Sequence, residues 1–460
     1  MFSKLVIAIK KVVSKLFGKE SVQKALKVDV SVSDKMAKQI DLWAKMYQDK
    51  SPWVRDDTKS LNLASGIAGE LARLVTLEMK SEIADNDLMN QAYQKLMKSI
   101  RIETEYACAK GGIVFKPYVS DGKLCIDCVH ADRIFPVRFE DGELMSCVFM
   151  ERITKEQDIY TRLEFHDFTD GKCTIINKAY VNSFANGELG VEIPLSKLPE
   201  WENISEEVSL TGLTRPLFSY FKMPLANTID DESNIGVSVY SRAVDLIREA
   251  DEQYSRILWE FKGSELAIDI DESCLMDGQE LPKGKDRIFR KLDIEGKDGN
   301  FYSVFSPDIR DSSLFNGLNK ILQRIEFVCG LAYGTLSDVQ ETEKTATEIL
   351  SSKQRSYSTV SDIQKSLKNS LEDLIVSMAD LCTLYKLGDR NTENEASFEF
   401  DDSLIVDSGT DQAIMMQEVA AGIIKPEIYL MRRYGLTEEQ CKDYMPEQGI
   451  EKDPEDIDEE

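Results

Sequence analysis

The stretch that decides the architecture is VSVYSRAVDLIREADEQYSRILWEF, Val237 to Phe261, read with its partner DSSLFNGLNKILQRIEFVCGL, Asp311 to Leu331. In the first, Val239, Tyr240, Ala243, Val244, Ile247, Ala250, Tyr254, Ile257, Leu258 and Phe261 keep a 3/4 spacing. In the second, Leu314, Leu318, Ile321, Leu322, Ile325 and Val328 do the same. Both patterns predict amphipathic helices. Between them, residues 264–310 are broken by Asp277-Gly278, Pro282, Gly284, Gly296 and Gly299, which predicts short strands and turns. The expected unit is a helix, a small β insertion and a returning helix.

Toward the C-terminus, a polar loop from Leu336 to Lys344 precedes the longest predicted helix. Thr345-Ala346-Thr347-Glu348 has the form of a capping box. No Gly or Pro occurs from Thr335 to Leu387, so a continuous helix of roughly 60 Å is expected. Its second half has an apolar face, Leu367, Leu371, Leu374, Ile375, Met378 and Leu381, whereas Ser351 to Ser361 is polar and suits a bend or a subunit contact. Gly388 to Asn394 ends it; a strand at 396–400 and two or three small helices within 409–444 follow. The last ten residues carry seven acids and one lysine, the composition of a solvated tail.

Toward the N-terminus, residues 199–234 read as loops. From Ile113 to Leu198, β-branched and aromatic runs are punctuated by Asp121-Gly122, Asp141-Gly142, Asp170-Gly171 and Asn186-Gly187, four hairpin signals that predict an antiparallel sheet. Residues 34–110 read as helices, with Ser33 or Asp34 as the first cap, Ile67, Leu71, Leu74, Val75 and Met79 marking a second and 87–110 a third. Met1 to Lys27 holds seven lysines and one acid, with Leu5, Ile9, Val12, Val13, Leu16 and Phe17 at helical spacing. This basic amphipathic segment suits membrane-surface contact or an assembly arm that orders on a partner. Lysines interrupt its apolar run and no small-residue cleavage site follows, which argues against a signal peptide. The arm is the preferred reading.

Composition narrows the function. The 460 residues suffice for several structural units. The net charge of −26 disfavours static DNA binding, which needs Lys and Arg to displace counterions, yet suits a wall past which DNA slides. Only His130 and His166 are available for acid–base or metal chemistry, and both fall in the β region. Nine scattered cysteines do not make a disulfide scaffold, and Cys125-x-x-Cys128 reads as cysteines along a strand rather than a zinc site. No P-loop, dinucleotide fingerprint, nucleophile elbow or H-E-x-x-H occurs. The acid pairs Asp230-Asp231, Asp269/Asp271 and Asp401-Asp402 are expected of so acidic a chain without implying Mg²⁺. No catalytic residue, metal site or cofactor is expected.

Three stretches carry a family resemblance: Gly236-Val237-Ser238-Val239-Tyr240 leading to Asp251; Asp308-Ile309-Arg310 through Leu318-Asn319, Ile325-Glu326 and Gly330-Leu331-Ala332-Tyr333-Gly334-Thr335-Leu336-Ser337; and Lys344-Thr345-Ala346-Thr347-Glu348-Ile349 through Tyr357, Thr359 and Val360. With Phe400-Asp401-Asp402 and Tyr434-Gly435, the chain resembles the portal proteins of long-tailed phages, of the type found in phages and prophages of Gram-positive bacteria. The resemblance implies an α+β portal-like fold with an N-terminal arm (1–33), an α/β wing (34–235), stem helices (236–263 and 311–335), a β-containing clip (264–310), a channel loop (336–344), a long wing helix with its return (345–404), a helical crown (405–445) and an acidic tail (446–460). It implies a ring of twelve copies at the capsid vertex, assembled in the host cytoplasm. Its partners would be double-stranded DNA passing without sequence specificity, the large terminase subunit, a head–tail adaptor, and the major capsid and scaffolding proteins; no membrane is expected. Under this reading Ser337, Asp338, Gln340, Glu341, Glu343 and Lys344 belong to the channel loop, and Asp311 and Glu326 line the channel. Lys283, Lys285, Arg287, Arg290 and Lys291 form a basic clip cluster that docks an acidic motor or adaptor. The alternative is a membrane-peripheral or scaffold-like assembly protein anchored by the basic N-terminal helix.

Overall fold

The structure is a computed structural model that describes residues 19–77, 79–84, 86–183, 189–264, 267–271, 289–292, 302–305, 310–338, 346–387, 396–400, 415–434 and 441. The chain divides into two units, Met1–Phe400 and Asp401–Glu460. Helix and strand are mixed throughout the first, as an α+β chain requires.

The first unit begins with helices α1 (Lys19–Leu26), α2 (Asp34–Tyr47), α3 (Leu63–Val75) and α4 (Asp87–Lys110). Ser33 caps α2, its hydroxyl accepting the Met36 N–H at 3.3 Å, and Asn86 caps α4 by accepting the Met89 N–H at 3.1 Å. A strand, β1 (Lys80–Ile83), stands between α3 and α4 where only helix is expected from the sequence; it pairs antiparallel with β14 (Ala396–Glu399), the predicted strand that returns after the long helix. Such pairing across more than three hundred residues leaves no local signal.

The β region follows as predicted through Leu198, and two further strands, at 207–211 and 219–222, stand where the sequence reads as loops. Strands β2 (Gly112–Ser120), β3 (Lys123–His130), β4 (Ile134–Glu140), β5 (Glu143–Lys155), β6 (Asp158–Thr169), β7 (Lys172–Asn182), β8 (Val191–Ile193), β9 (Glu207–Thr211) and β10 (Ser219–Lys222) form two sheets, ordered β10-β2-β3 and β4-β5-β6-β7-β8, with β9 also on β7. Asp121-Gly122, Asp141-Gly142 and Asp170-Gly171 all have positive φ at both positions, as two-residue hairpin turns demand. A fourth hairpin turns at Glu156, φ +55°, without glycine; Asn186-Gly187 lies outside the described residues.

The expected helix from Val237 starts instead at Val244: α5 is Val244–Gly263, preceded by a single 3₁₀ turn. Residues 236–240 cross the end of α4 in close backbone contact. A Cβ on Gly236 would lie 2.0 Å from the Gly111 carbonyl oxygen. The Val239 N–H and the Ser238 hydroxyl both donate to the Cys108 carbonyl, at 3.0 and 3.3 Å. These tertiary bonds and a turn at 238–241, closed by the Ser241 N–H on the Ser238 carbonyl at 2.9 Å, keep the segment out of the helix although its apolar residues fit a helical period. Strands β11 (Ala267–Asp271), β12 (Phe289–Leu292) and β13 (Tyr302–Phe305) form the predicted insertion, ordered β12-β11-β13. Helix α6 (Asp311–Cys329) returns, and α7 (Ala346–Leu384) is one helix of 39 residues.

The core of the unit joins α2, α3, α4 and the second half of α7 to β2 and β10. The predicted α7 face is its heart: Leu367, Leu371, Leu374, Ile375, Met378 and Leu381 are all buried. Beside that face runs a polar stripe, Ser366, Ser370, Asp373, Ser377 and Asp380, spaced 4, 3, 4 and 3, which clasps residues 214–222. The Ser366 hydroxyl donates to the Lys222 carbonyl at 2.6 Å and that of Ser377 to the Pro216 carbonyl at 2.9 Å. Arg215 pairs with Asp373, and the Asp380 carboxylate accepts the Thr214 N–H and hydroxyl, both at 2.7 Å. A polar stripe next to an apolar one satisfies the backbone of an otherwise irregular segment in a buried place. In the second unit, residues 415–420 are helical and α8 spans Pro426–Tyr434.

Candidate functional site

Helices α5 and α6 run antiparallel. Buried Ile247, Ala250 and Ile257 of α5 and Leu318, Ile325 and Cys329 of α6 share the main core. At the far end, Arg310 donates Nε and an Nη to the two oxygens of Glu260, each at 3.2 Å, and Phe261 and Phe315 rings lie 6.2 Å apart. The β insertion connects the helices at this end.

The near end is fastened by buried carboxylates. Asp251 on α5 is 1% exposed; it accepts the Trp53 indole N–H and the Leu61 backbone N–H, both at 2.8 Å. Burial pushes its carboxyl above the usual range against these two hydrogen bonds. On α6, Glu326 is wholly buried. Its Oε1 accepts the backbone N–H groups of Gly334, Leu336 and Ser337 at 3.1, 2.6 and 2.8 Å, and its Oε2 accepts the Ser337 hydroxyl at 2.8 Å. Two turns earlier on the same helix face, Asn319 exchanges a hydrogen-bond pair with the Asp338 backbone, at 2.9 and 3.1 Å. One helix face therefore grips the turn 331–338 through six side-chain bonds that imitate secondary structure.

The turn also meets α7. Gly330 ends α6 at φ +72°, and a Cβ there would lie 2.3 Å from the Thr359 hydroxyl. Only glycine combines the left-handed cap with that approach. The Arg355 guanidinium sits 4.3 Å from the Phe327 ring and 5.8 Å from the Tyr333 ring. The polar first half of α7 thus contains the contact with the end of α6.

These facts correct one expectation and divide the others. Glu326 does not line a channel: its carboxylate faces backbone N–H groups inside the subunit. Ser337 is likewise buried on Glu326. Asp338 is exposed beyond the clamp, and Asp311 is exposed in the first turn of α6, accepting the Ser312 N–H at 2.7 Å. Gln340, Glu341, Glu343, Lys344 and the capping hydroxyl of Thr345 lie outside the described residues, as do Lys283, Lys285 and Arg287. Arg290 and Lys291 fall on β12, opposite Asp269 and Ile270 of β11. Asn319, Gly330 and Asp251 stand in the family stretches with no role read from the sequence; a polar residue inside an apolar helix stripe is the signal for Asn319 and Asp251, and a glycine just past the last helical residue that for Gly330.

The helix pair leaves large apolar side chains outside the subunit. Trp259 is 69% exposed, and Phe261, Phe315 and Phe327 are between 42 and 48% exposed. Both histidines have structural partners, His166 on β6 and His130 at the end of β3. His166 is buried and its Nε2–H donates to Glu164 at 2.6 Å. Burial raises the Glu164 carboxyl, but Lys116, His166 and Arg162 together hold it well below the usual range. Burial lowers His166, outweighing Glu164. His130 faces Glu103 at 3.5 Å and Tyr106. Cys125 and Cys128 are free thiols on β3. Among the described residues no three His, Cys, Asp or Glu side chains converge as metal ligands, and no helix is long and apolar enough to cross a membrane.

No curated protein sequence matches the chain. Among solved structures it is similar to a chain of the neck of a native GTA particle computed with C12 symmetry, at 11% identity and a TM-score of 0.42, covering 89% of this chain and 97% of that one. The family model of the phage portal protein, SPP1 Gp6-like, matches residues 30–455. A match over nearly the whole length, on a chain with this helix–insertion–helix–turn–long helix order, settles the family: the chain belongs to the SPP1 Gp6-like phage portal proteins.

Proposed function

We propose that the chain is one subunit of a closed ring, of twelve copies, that forms the DNA channel at the capsid vertex and serves packaging, retention and ejection of the genome. The observation that carries the reading beyond the family is the uncovered apolar flank of the α5–α6 pair. Four large side chains, Trp259, Phe261, Phe315 and Phe327, stand exposed on the two helices. Apolar clusters of this kind mark interaction surfaces, and a head-to-tail interface that closes gives a ring. In this reading α5 and α6 are the stem, β11–β13 the clip, residues 339–344 the channel loop and the helices after 414 the crown.

An acidic chain suits such a channel. Carboxylates repel phosphates without gripping them, over about 8 Å at physiological salt. Asp311 and Asp338 are the exposed acids at the two ends of the α6–turn segment, and Glu341 and Glu343 follow them in sequence. The basic residues of the insertion, Lys283, Lys285, Arg287, Arg290 and Lys291, would face the large terminase subunit during packaging and the head–tail adaptor afterwards. ATP hydrolysis belongs to the motor. Light scattering followed by negative-stain imaging of the same peak tests the ring. Particles of about a dozen subunits with a central hole are expected; a monomer or dimer that persists at high concentration in the presence of scaffolding protein would overturn it.

A further inference from the structure

The first described residues of the chain sit on an apolar groove that nothing described fills. Val32, Ala37 and Ile40 from the start of α2, and Ile134, Phe135 and Pro136 from β4, line a cavity of about 220 Å³. Lys19 and Glu20, at the start of α1, stand on its rim. The cavity is smaller than the roughly 300–1,000 Å³ of small-molecule sites and has no convergent polar donors on its floor. It suits one or two apolar side chains of a peptide.

We propose that this groove docks the chain's own N-terminal arm, residues 1–18, with Leu16 and Phe17 as its anchors. Three observations select that occupant. The first is reach: at no more than about 3.5 Å per residue, Phe17 can lie no further than roughly 7 Å from Lys19, and Lys19 is already on the rim. The second is pattern. The arm's apolar stripe, Leu5, Ile9, Val12 and Leu16, would continue onto Glu20 and Gln23, whereas the residue α1 buries is Val22. The arm's apolar face is therefore not the face that α1 packs, and Gly18 permits the change of direction. The third is charge. The arm carries four lysines and no acid, and of the carboxylates lining the groove Asp132 already pairs with Lys110, which leaves Glu20 and Asp34 to face the arm. The wall is rigid: the Ser31 N–H donates to the Pro136 carbonyl at 2.8 Å and the Ser31 hydroxyl to that of Val137, tying the incoming chain to the edge of the six-stranded sheet.

The consequence is an arm anchored at its base, with Met1 to Lys15 leaving from a fixed point and in a fixed direction. Anchoring also covers Leu16 and Phe17, which removes the aromatic end of the membrane-seeking face. The proposal stands independently of the ring.

The test places a photoreactive benzoylphenylalanine at position 17 of the full-length chain and maps the crosslinks by mass spectrometry in a mixture of ¹⁴N- and ¹⁵N-labelled protein. Crosslinks to peptides containing residues 34–40 or 131–136 of the same chain are expected. They should be lost in the Ala37→Trp variant, which fills the groove, and retained in Lys38→Gln, which does not. Thermal melting of both variants establishes that they fold; should Ala37→Trp fail to, Ile40→Phe takes its place. Crosslinks to other surfaces, crosslinks only between differently labelled chains, or none at all would overturn the proposal. So would flotation of the full chain with vesicles of phosphatidylglycerol and phosphatidylcholine that Leu16→Ser/Phe17→Ser abolishes, because the anchors would then be free for lipid.

Discussion

Glu326 is the residue whose role changes most between sequence and structure. A glutamate on an otherwise apolar helix face, in an acidic chain expected to repel DNA, reads as a lumen charge. Its carboxylate instead closes four hydrogen bonds inside the subunit, and each orphaned buried donor costs about 1–3 kcal/mol. Glu326→Ala should destabilise the subunit by about 3 kcal/mol in chemical denaturation, whereas Asp338→Asn, whose exposed carboxylate is free of the clamp, should change stability by less than about 0.5 kcal/mol. Gly330→Ala should cost about 2–4 kcal/mol from the left-handed cap and the approach of Thr359 together. His166 gives a pH dependence of fixed sign. Its folded pKa lies below the unfolded value near 6.5, so the unfolded chain binds more protons between the two. The contribution of His166 is complete above pH 6.5 and lost as pH falls through that window. Melting curves of His166→Gln from pH 7.5 down to 5 should therefore fall less steeply than those of the unaltered chain.

Among the elements, the α5–α6 pair was legible and its exact start was not. Sequence periodicity continues back to Val239 because the buried crossing over Gly111 places Val239 and Tyr240 at positions that mimic a helical stripe. The long helix is legible because the apolar residues its second half buries fall on the 3.6-residue period. Its polar stripe, Ser366 to Asp380, keeps a period just as regular, but serine and aspartate on a helix read as solvent-facing until a partner segment is placed against them. The exposed aromatics of α5 and α6 carry the element-scale prediction. Trp259→Ser with Phe315→Ser should leave subunit stability within about 0.5 kcal/mol, since both side chains are exposed. The same variant should shift the assembled species to smaller mass in analytical ultracentrifugation.

For the whole molecule, residues up to Phe400 form a compact unit with its own hydrophobic core. A chain ending at Phe400 should accordingly keep its cooperative melt, read by circular dichroism. If the channel reading holds, Glu341→Gln with Glu343→Gln should change the amount of DNA packaged or retained while the ring persists, and Arg287→Glu with Arg290→Glu should weaken binding of the purified terminase, most at low salt. Unaltered packaging and unaltered terminase binding, respectively, would remove those residues from the model.

The sequence by itself determined the family, the order of helix and sheet, three of the four Asp-Gly or Asn-Gly turns as they stand, and the apolar face of the long helix. All of these rest on local periodicity, turn chemistry or motif, which a linear chain displays. Tertiary structure alone decided that β1 pairs with β14, that residues 236–240 cross the end of α4 outside any helix, that Ser366 to Asp380 clasp the chain at 214–222, and that Glu326 is a buried clamp. In the first three the partners lie more than a hundred residues apart, and in the last a turn just beyond the helix folds back onto it. Whether a carboxylate meets phosphate, water or a row of backbone N–H groups depends on what the fold brings to it.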